Sequence, residues 1–270
     1  MDPTRKTVTV RRLEDGSEYE EAYDKLLLSP GARPLRPALP GVESARVFTL
    51  RTVEDTLRLH TFIQSSAPRS AVVVGGGFIG LEMMENLTHQ GIQVTVVEKQ
   101  RQVMAPIDYD MACGVHAYLR DKGVALRLDA AVEGFEETDS SLSVRLEGGE
   151  RLETDMVVLA LGVVPDTGLA KEAGLTLGGR GAIVVNDRME TSAPDIYAVG
   201  DAVQVRHFVS GADCLIALAG PANKQGRIAA DNICGRDSRF DGSQGTSILR
   251  VFDMTVAATG LNERAAEAAG

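Results

Sequence analysis

The sequence predicts an α/β fold centred on a Rossmann-like dinucleotide-binding domain, with structured segments of another kind before and after it. Three observations predict it. The stretch VVVGGGFIGLEMMENL, residues 72–87, reads as a strand, a glycine turn and the start of a helix. IQVTVVEK, DMACGVHAYLRDKG and VALRL then supply strand, helix and strand, which completes β-α-β-α-β, the half-unit of a dinucleotide fold. Beyond residue 130 the pattern changes to short strands joined by polar turns, an antiparallel meander.

The elements follow in order. KTVTVRRLEDGSEYEEAYDKLLLSPGA alternates apolar and polar residues around Asp15-Gly16, a hairpin signature. LLLSPGA is a short apolar strand ending at Pro30-Gly31. PLRPALPG is an extended linker, because Pro34, Pro37 and Pro40 each restrict their neighbours. Thr52-Val-Glu-Asp55 offers a hydroxyl cap and first-turn acids, so a helix runs from there to about Ser65, where Ala67-Pro68-Arg69 breaks it. The helix after the glycine turn has Gly91 as its C-terminal stop. DMACGVHAYLRDKG is amphipathic, with Met111, Val115, Tyr118 and Leu119 expected inward and Gly123 closing it. AAVEGFEE, SLSVRLEGG and ERLETDMVVLALG read together as the meander. Further on, TSAPDIYAVGDA is a strand and AGPANKQGRIAADNICG a helix, with Pro221 in its first turn and Gly235 past its end. GTSILRVFDMTVAATG begins a new pair of strands.

Length and composition bound the function. At 270 residues the chain has room for one large or two modest domains, and its net charge of −10 argues against nucleic acid as the main partner. Cys113, Cys214 and Cys234 form no C-x-x-C pair and no zinc-like spacing with the histidines, which points to a reducing, cytoplasmic setting with no metal site. Each of the three reads as an inert small apolar residue. MDPTRKTVTVRR lacks the apolar core of a signal peptide, and no apolar run approaches the roughly 18 residues needed to span a bilayer, so no membrane association is expected. The serines form no nucleophile elbow.

The chemistry sits first in the glycine turn. Gly75-x-Gly77-x-x-Gly80 follows a strand and opens a helix, the context a dinucleotide fingerprint requires. Gly75 allows the tight turn, Gly77 lets the backbone approach a pyrophosphate, and Gly80 lets helix and strand pack closely. The helix start then offers N–H donors and a positive dipole end. Glu98 closes the next strand, about twenty residues on. A carboxylate there accepts hydrogen bonds from both adenosine ribose hydroxyls and repels a 2′-phosphate, so NADH is preferred over NADPH. Lys99 and Arg101 lie close enough to soften that preference, and Glu98 also reads as a solvated strand-end acid. The second informative stretch is TSAPDIYAVGDA, residues 191–202, apolar from Ile196 to Val199 and ending in Gly200-Asp201. Gly200 permits close backbone approach to a ligand. The Asp201 carboxylate only accepts hydrogen bonds, which suits either a sugar-alcohol hydroxyl or a turn cap.

These residues, with LALGVVPD, LAGPANKQGRIAADNICG and QGTSILRVFDMTVAATGLNE, make the chain resemble the pyridine nucleotide–disulfide oxidoreductase family, in the branch of CoA-disulfide and NADH-dependent persulfide reductases. The resemblance covers residues 23 to 263. It implies a Rossmann-like NAD domain (48–160) inserted in a partial FAD domain (1–47 and 161–237), followed by the start of an α+β interface domain (238–270) that makes a homodimer. It implies NAD contacts at Gly75, Gly77, Phe78, Ile79, Gly80, Glu82, Glu98, Lys99, Val132 and Gly162. FAD contacts are implied at Ser29, Pro30, Gly31, Gly200, Asp201, Ala219 and Gly220. The helix at AGPANKQGR would point its N-terminus at the flavin ring. Asn223 and Lys224 are implied on the side of a CoA-linked disulfide or persulfide substrate, though a solvated helix face explains them equally.

The departures matter too. Family members begin with their own fingerprint for FAD and follow it with a redox cysteine, and neither is in this sequence. The expectation is therefore a fragment lacking those parts and most of the interface domain, with no catalytic residue of its own, weak or no FAD binding, and no completed reaction. The full reaction implied is hydride transfer from NADH to FAD, then electrons to a cysteine and on to the CoA disulfide or persulfide. Three alternatives stand beside it. They are an NADH oxidase of the same superfamily, a flavin reductase serving a ferredoxin-type carrier, and a non-catalytic NAD-binding module.

Overall fold

The structure is a computed structural model describing residues 1–138 and 141–270. Its centre is a five-stranded parallel sheet in the order Val47–Thr49, Met156–Leu159, Ser70–Val74, Gln93–Val97 and Ala125–Arg127. The helices Phe78–His89 and Tyr109–Asp121 connect its last three strands, and Val53–Ser66 leads into the first of these. Side chains alternate across a strand, so SAVVV at 70–74 serves two faces. Ala71 and Val73 pack under the helices with Leu81, Met84 and Leu119. Val72 and Val74 pack on the opposite face against Phe135, Leu142, Val144 and Leu146 of the meander. Burial on both faces explains why this strand is a continuous apolar run.

Local signals hold where they are strongest. The hairpin pairs Thr7–Arg11 with Glu18–Ala22, and Gly16 sits in the turn at φ +73°. Thr52 caps Val53–Ser66 with a full capping box, its hydroxyl accepting from Asp55 N–H while Asp55 accepts from Thr52 N–H. Two expectations need correction. Met111 is 65% exposed, and Ala112 takes the inward place beside Val115 and Leu119. ERLETDMVVLALG is not one meander strand. Arg151–Thr154 ends the antiparallel meander, and Met156–Leu159 enters the parallel sheet between Val47–Thr49 and Ser70–Val74. Asp155 makes the break, its carboxylate accepting from Arg69 and Ser70 N–H at 2.8 and 3.0 Å.

A second core forms from the two ends of the sequence around this domain. Leu26–Leu28 pairs in parallel with Ile196–Ala198, and Ala32–Pro34 pairs antiparallel with Val163–Pro165. Leu28, Ile183, Ile196, Ala198, Val203 and Ala229 are buried together there. Lys6 and Lys25 both hold the Asp195 carboxylate, bringing its pKa down to about 2 and tying the early segment to the start of Ile196–Ala198. The hairpin Ser247–Val251 with Met254–Ala258 does not join this second core. Leu249, Val251, Phe252 and Val256 pack on the helices of the parallel-sheet domain.

Candidate nucleotide site

All five strands of the parallel sheet end on one edge, and ligands bind open α/β sheets at the carboxyl ends of the strands. The glycine turn lies on that edge. Gly75 directly follows Val74, has φ +113°, and donates its N–H to Val97 O at 2.8 Å. A Cβ at Gly75 would lie 2.3 Å from Ala160 O, and one at Gly80 would lie 1.9 Å from Gly75 O. Backbone packing alone demands glycine at both. Gly77 differs. It is the N-cap of Phe78–His89, has φ −84°, and a Cβ there would meet nothing within 4 Å. No side chain caps this helix start. Its first N–H groups are therefore free to bind an anion in the open space beside Gly77.

Glu98 is fixed against this turn. Its Oε2 accepts from Gly76 N–H at 2.7 Å and its Oε1 from Gln100 N–H at 2.8 Å. Each carboxylate oxygen retains a further lone pair, so the group is oriented and can still accept from hydroxyls. Lys99 is exposed beside it. Arg101 lies over the Tyr109 ring at 4.2 Å from its centroid. Phe78 and Ile79 pack their side chains on the helix-side core and can offer only backbone donors to a ligand. Glu82 is exposed on the same helix, Val132 is half-buried at the start of the meander, and Gly162 is exposed at φ +95° past Met156–Leu159. The loop after Glu98 closes over the turn. Val103 packs on Gly76, Met104 N–H donates to Gly76 O at 2.8 Å, and Val103 N–H donates to His116 Nε2 at 3.2 Å. Burial, with the nearby Arg120 charge, pushes the His116 imidazole below its ordinary pKa, so it stays neutral and accepts that bond.

A second crevice lies where the parallel pair Leu26–Leu28 and Ile196–Ala198 ends. It brings together Ser29-Pro30-Gly31 and Gly200-Asp201, with Gly31 at φ +71° and Gly200 at φ +83°. Two further residues complete it. The Gln225 side chain, 1% exposed, accepts the Gly200 N–H at 2.7 Å. Arg51 donates from Nε to Ala32 O at 2.8 Å, and its Nη2 lies 3.9 Å from Asp201 Oδ2. Ala219 and Gly220 open the helix Ala219–Ile233, which has no side-chain cap. Asn223 turns its amide back to Ala219 O at 2.8 Å. Lys224 is exposed and borders a cleft of about 750 Å³ with Phe208, Gly220, Arg227 and Phe240.

The three cysteines differ in exposure. Cys113 and Cys234 are exposed. Cys214 is half-buried, its thiol donates to Val205 O at 3.4 Å, and burial pushes its pKa up. Among the described residues no group of three or more His, Cys, Asp and Glu side chains is placed to hold a metal ion. No helix among them is long and apolar enough to cross a membrane.

Residues 1–226 match the profile of the pyridine nucleotide-disulphide oxidoreductases. The chain belongs to the pyridine nucleotide-disulphide oxidoreductase family. Its relatives in this family include an NADH oxidase of Methanocaldococcus jannaschii, 38% identical over 92% of this chain and 55% of that protein. An NAD(P)H coenzyme A polysulfide/persulfide reductase of Pyrococcus horikoshii is 34% identical over 94% of this chain and 57% of that protein. Among solved structures, the reduced CoADR-RHD of Bacillus anthracis superposes with a TM-score of 0.96 at 49% identity, covering 98% of this chain and 48% of that one. The chain thus spans little more than half the length of the curated relatives it matches. Members of this pyridine nucleotide-disulphide oxidoreductase family are enzymes that use NAD(P)H.

Arg51 and Gln225 are absent from the residues the sequence singles out. Arg51 is hidden by the capping box that follows it, which accounts for its neighbourhood fully. Gln225 had a usable signal. With Ala229 and Asn232 it forms the buried face of Ala219–Ile233, and an amide on an inward face needs a partner.

Proposed function

We propose that this chain seats NADH at the glycine turn and holds the sugar-alcohol side of FAD in the second crevice, as part of a reductase of CoA-linked disulfides or persulfides. The observation that carries the reading is the uncapped helix start at Gly77 with Glu98 fixed beside it. The N–H groups of the first helical turn take the pyrophosphate, and Glu98 accepts from the adenosine ribose hydroxyls. An acid already bonded through both oxygens disfavours the charge of a 2′-phosphate, which makes NADH the better ligand.

The second crevice fits the flavin by the chemistry of its donors. Asp201 accepts from a ribityl hydroxyl, Arg51 meets anionic oxygen, and Gly31 and Gly200 leave the backbone approachable. Gln225 keeps the Gly200 peptide in place. The open start of Ala219–Ile233 offers its positive end to an electron-rich ring. A bound FAD would supply the two-electron chemistry between NADH and a sulfur acceptor. Residues 1–47 and 161–237 then form the flavin body, 48–160 the NAD domain, and 238–270 the start of an interface domain. The Pyrococcus horikoshii relative, a coenzyme A polysulfide/persulfide reductase, supports the CoA persulfide substrate class.

A second reading has its own support, because the Methanocaldococcus jannaschii relative is an NADH oxidase. Anaerobic mixing of NADH with the flavin-loaded reductase of which this chain is proposed to be part separates the two. Bleached flavin that CoA disulfide or CoA persulfide reoxidises faster than dissolved oxygen supports the reductase. Reoxidation by oxygen alone supports the oxidase, and no bleaching counts against both.

A further inference from the structure

The loop from Gln100 to Asp108 lies between the nucleotide seat and a segment far along the chain. On one side it is bonded to the seat. Gln100 N–H donates to Glu98 Oε1 at 2.8 Å and Met104 N–H donates to Gly76 O at 2.8 Å. On the other side three successive residues hold it. Asn262 Nδ2 donates to Ala105 O at 2.9 Å, Glu263 N–H donates to Asp108 Oδ1 at 2.8 Å, and Arg264 donates to Gln100 Oε1 at 2.9 Å. The bonds are reciprocal. Asp108 is the N-cap residue of Tyr109–Asp121 yet makes no cap bond to its own helix. Its carboxylate instead serves the start of Glu263–Ala269, whose N-cap is Asn262. Asn262 uses both ends of its amide, Oδ1 accepting from Ala265 N–H to cap that helix and Nδ2 holding the loop.

We propose that residues 262–264 are a clamp on the 100–108 loop, and that Asn262 and Arg264 are positioning residues for the Glu98 carboxylate and hence for the bound dinucleotide. The proposal rests on the NADH assignment above. Physically, Gln100 is the junction. Its backbone N–H orients Glu98 while its side chain is held by Arg264, so a lost Arg264 contact frees the residue that aims the acid. Asn262 acts through Ala105, next to Met104, whose N–H orients the Gly76 peptide. The nucleotide seat is thereby coupled to a part of the chain outside the parallel-sheet domain, without either residue touching the ligand.

The test is a fluorescence titration with NADH of the chain and of Asn262→Asp, Arg264→Ala and the pair. Asn262→Asp keeps the helix-capping oxygen and replaces the donor to Ala105 O with a charged acceptor, which breaks that contact. The pair should weaken NADH about fivefold, and Arg264→Lys should recover part of the loss. In a Glu98→Gln background the same pair should cost less than about twofold, because the charge and the second acceptor oxygen being aimed are gone. Hydrogen exchange should quicken at the Gln100 and Met104 amides and stay unchanged over Leu142–Leu146. NADH affinity within twofold of the parent, or an equal loss in the Glu98→Gln background, overturns the clamp alone. A parent chain that does not bind NADH overturns the nucleotide assignment itself.

Discussion

The three fingerprint glycines do different jobs, and substitution should separate them. Gly80→Ala puts a Cβ into the Gly75 carbonyl, where nothing can yield without moving the strand or the helix. We expect a loss of about 1–3 kcal/mol in chemical denaturation. Gly77→Ala meets open space and should cost less than about 1 kcal/mol of stability, while weakening NADH at least about tenfold, because the methyl occupies the path of the pyrophosphate. Titration beside the denaturation curve shows whether binding and folding part in this way. Glu98→Gln keeps a carbonyl acceptor but removes the charge, so the ratio of NADPH to NADH affinity should rise. The packing roles of Gly75 and Gly80 were legible in the sequence because fingerprint spacing encodes them. Arg51 and Gln225 were not, since their partners Ala32, Asp201 and Gly200 are distant along the chain or reached only through the fold.

Elements were read well where their signals are local and poorly where pairing decides. The Thr52 cap and the Asp15-Gly16 turn are short-range chemistry, and they fold as read. DMVVLALG could not be placed by its own residues, because its neighbours in the sheet, Val47–Thr49 and Ser70–Val74, lie far upstream. Met111 looked apolar and inward, but the helix turns Ala112, Val115 and Leu119 to the sheet and leaves Met111 in solvent. His116 on that helix was read only as lacking ligand spacing, and it proves to hold the loop over the glycine turn. Its pKa is lowered on folding, so the unfolded chain binds the proton more readily. Its contribution is complete above the unfolded value of about 6.5 and is lost as pH falls through the lower folded value. Unfolding free energy should drop between pH 7.5 and 5, and His116→Gln should flatten that part of the profile. An equal slope in the variant would assign the pH dependence elsewhere.

At the scale of the molecule, the described residues build two bodies that share no buried core residue, the parallel-sheet domain with a core on each face and the body around Ile196–Ala198. The second depends on the early segment, because Leu26–Leu28 pairs in parallel along Ile196–Ala198, which otherwise meets only the single bridge at Glu190 among the described residues. Leu28→Asp buries a charge in that core and should cost about 3 kcal/mol or more there. Amide protection should fall over Ile196–Arg206 and persist over Ser70–Val97, with NADH affinity retained. The sequence marked both bodies by their strand and turn chemistry. It could not show that the hairpin at 247–258 leans on the parallel-sheet domain, a contact made by Phe252 against His89 and Tyr118.

The most direct measurement is a titration of the unsubstituted chain with NADH and with NADPH under identical salt. The expected result is saturable NADH binding with a Kd at least about tenfold lower than that for NADPH, a gap of about 1.4 kcal/mol. No saturable NADH binding, or NADPH binding as tight or tighter, would contradict the assignment of the glycine turn and Glu98 as an NADH seat.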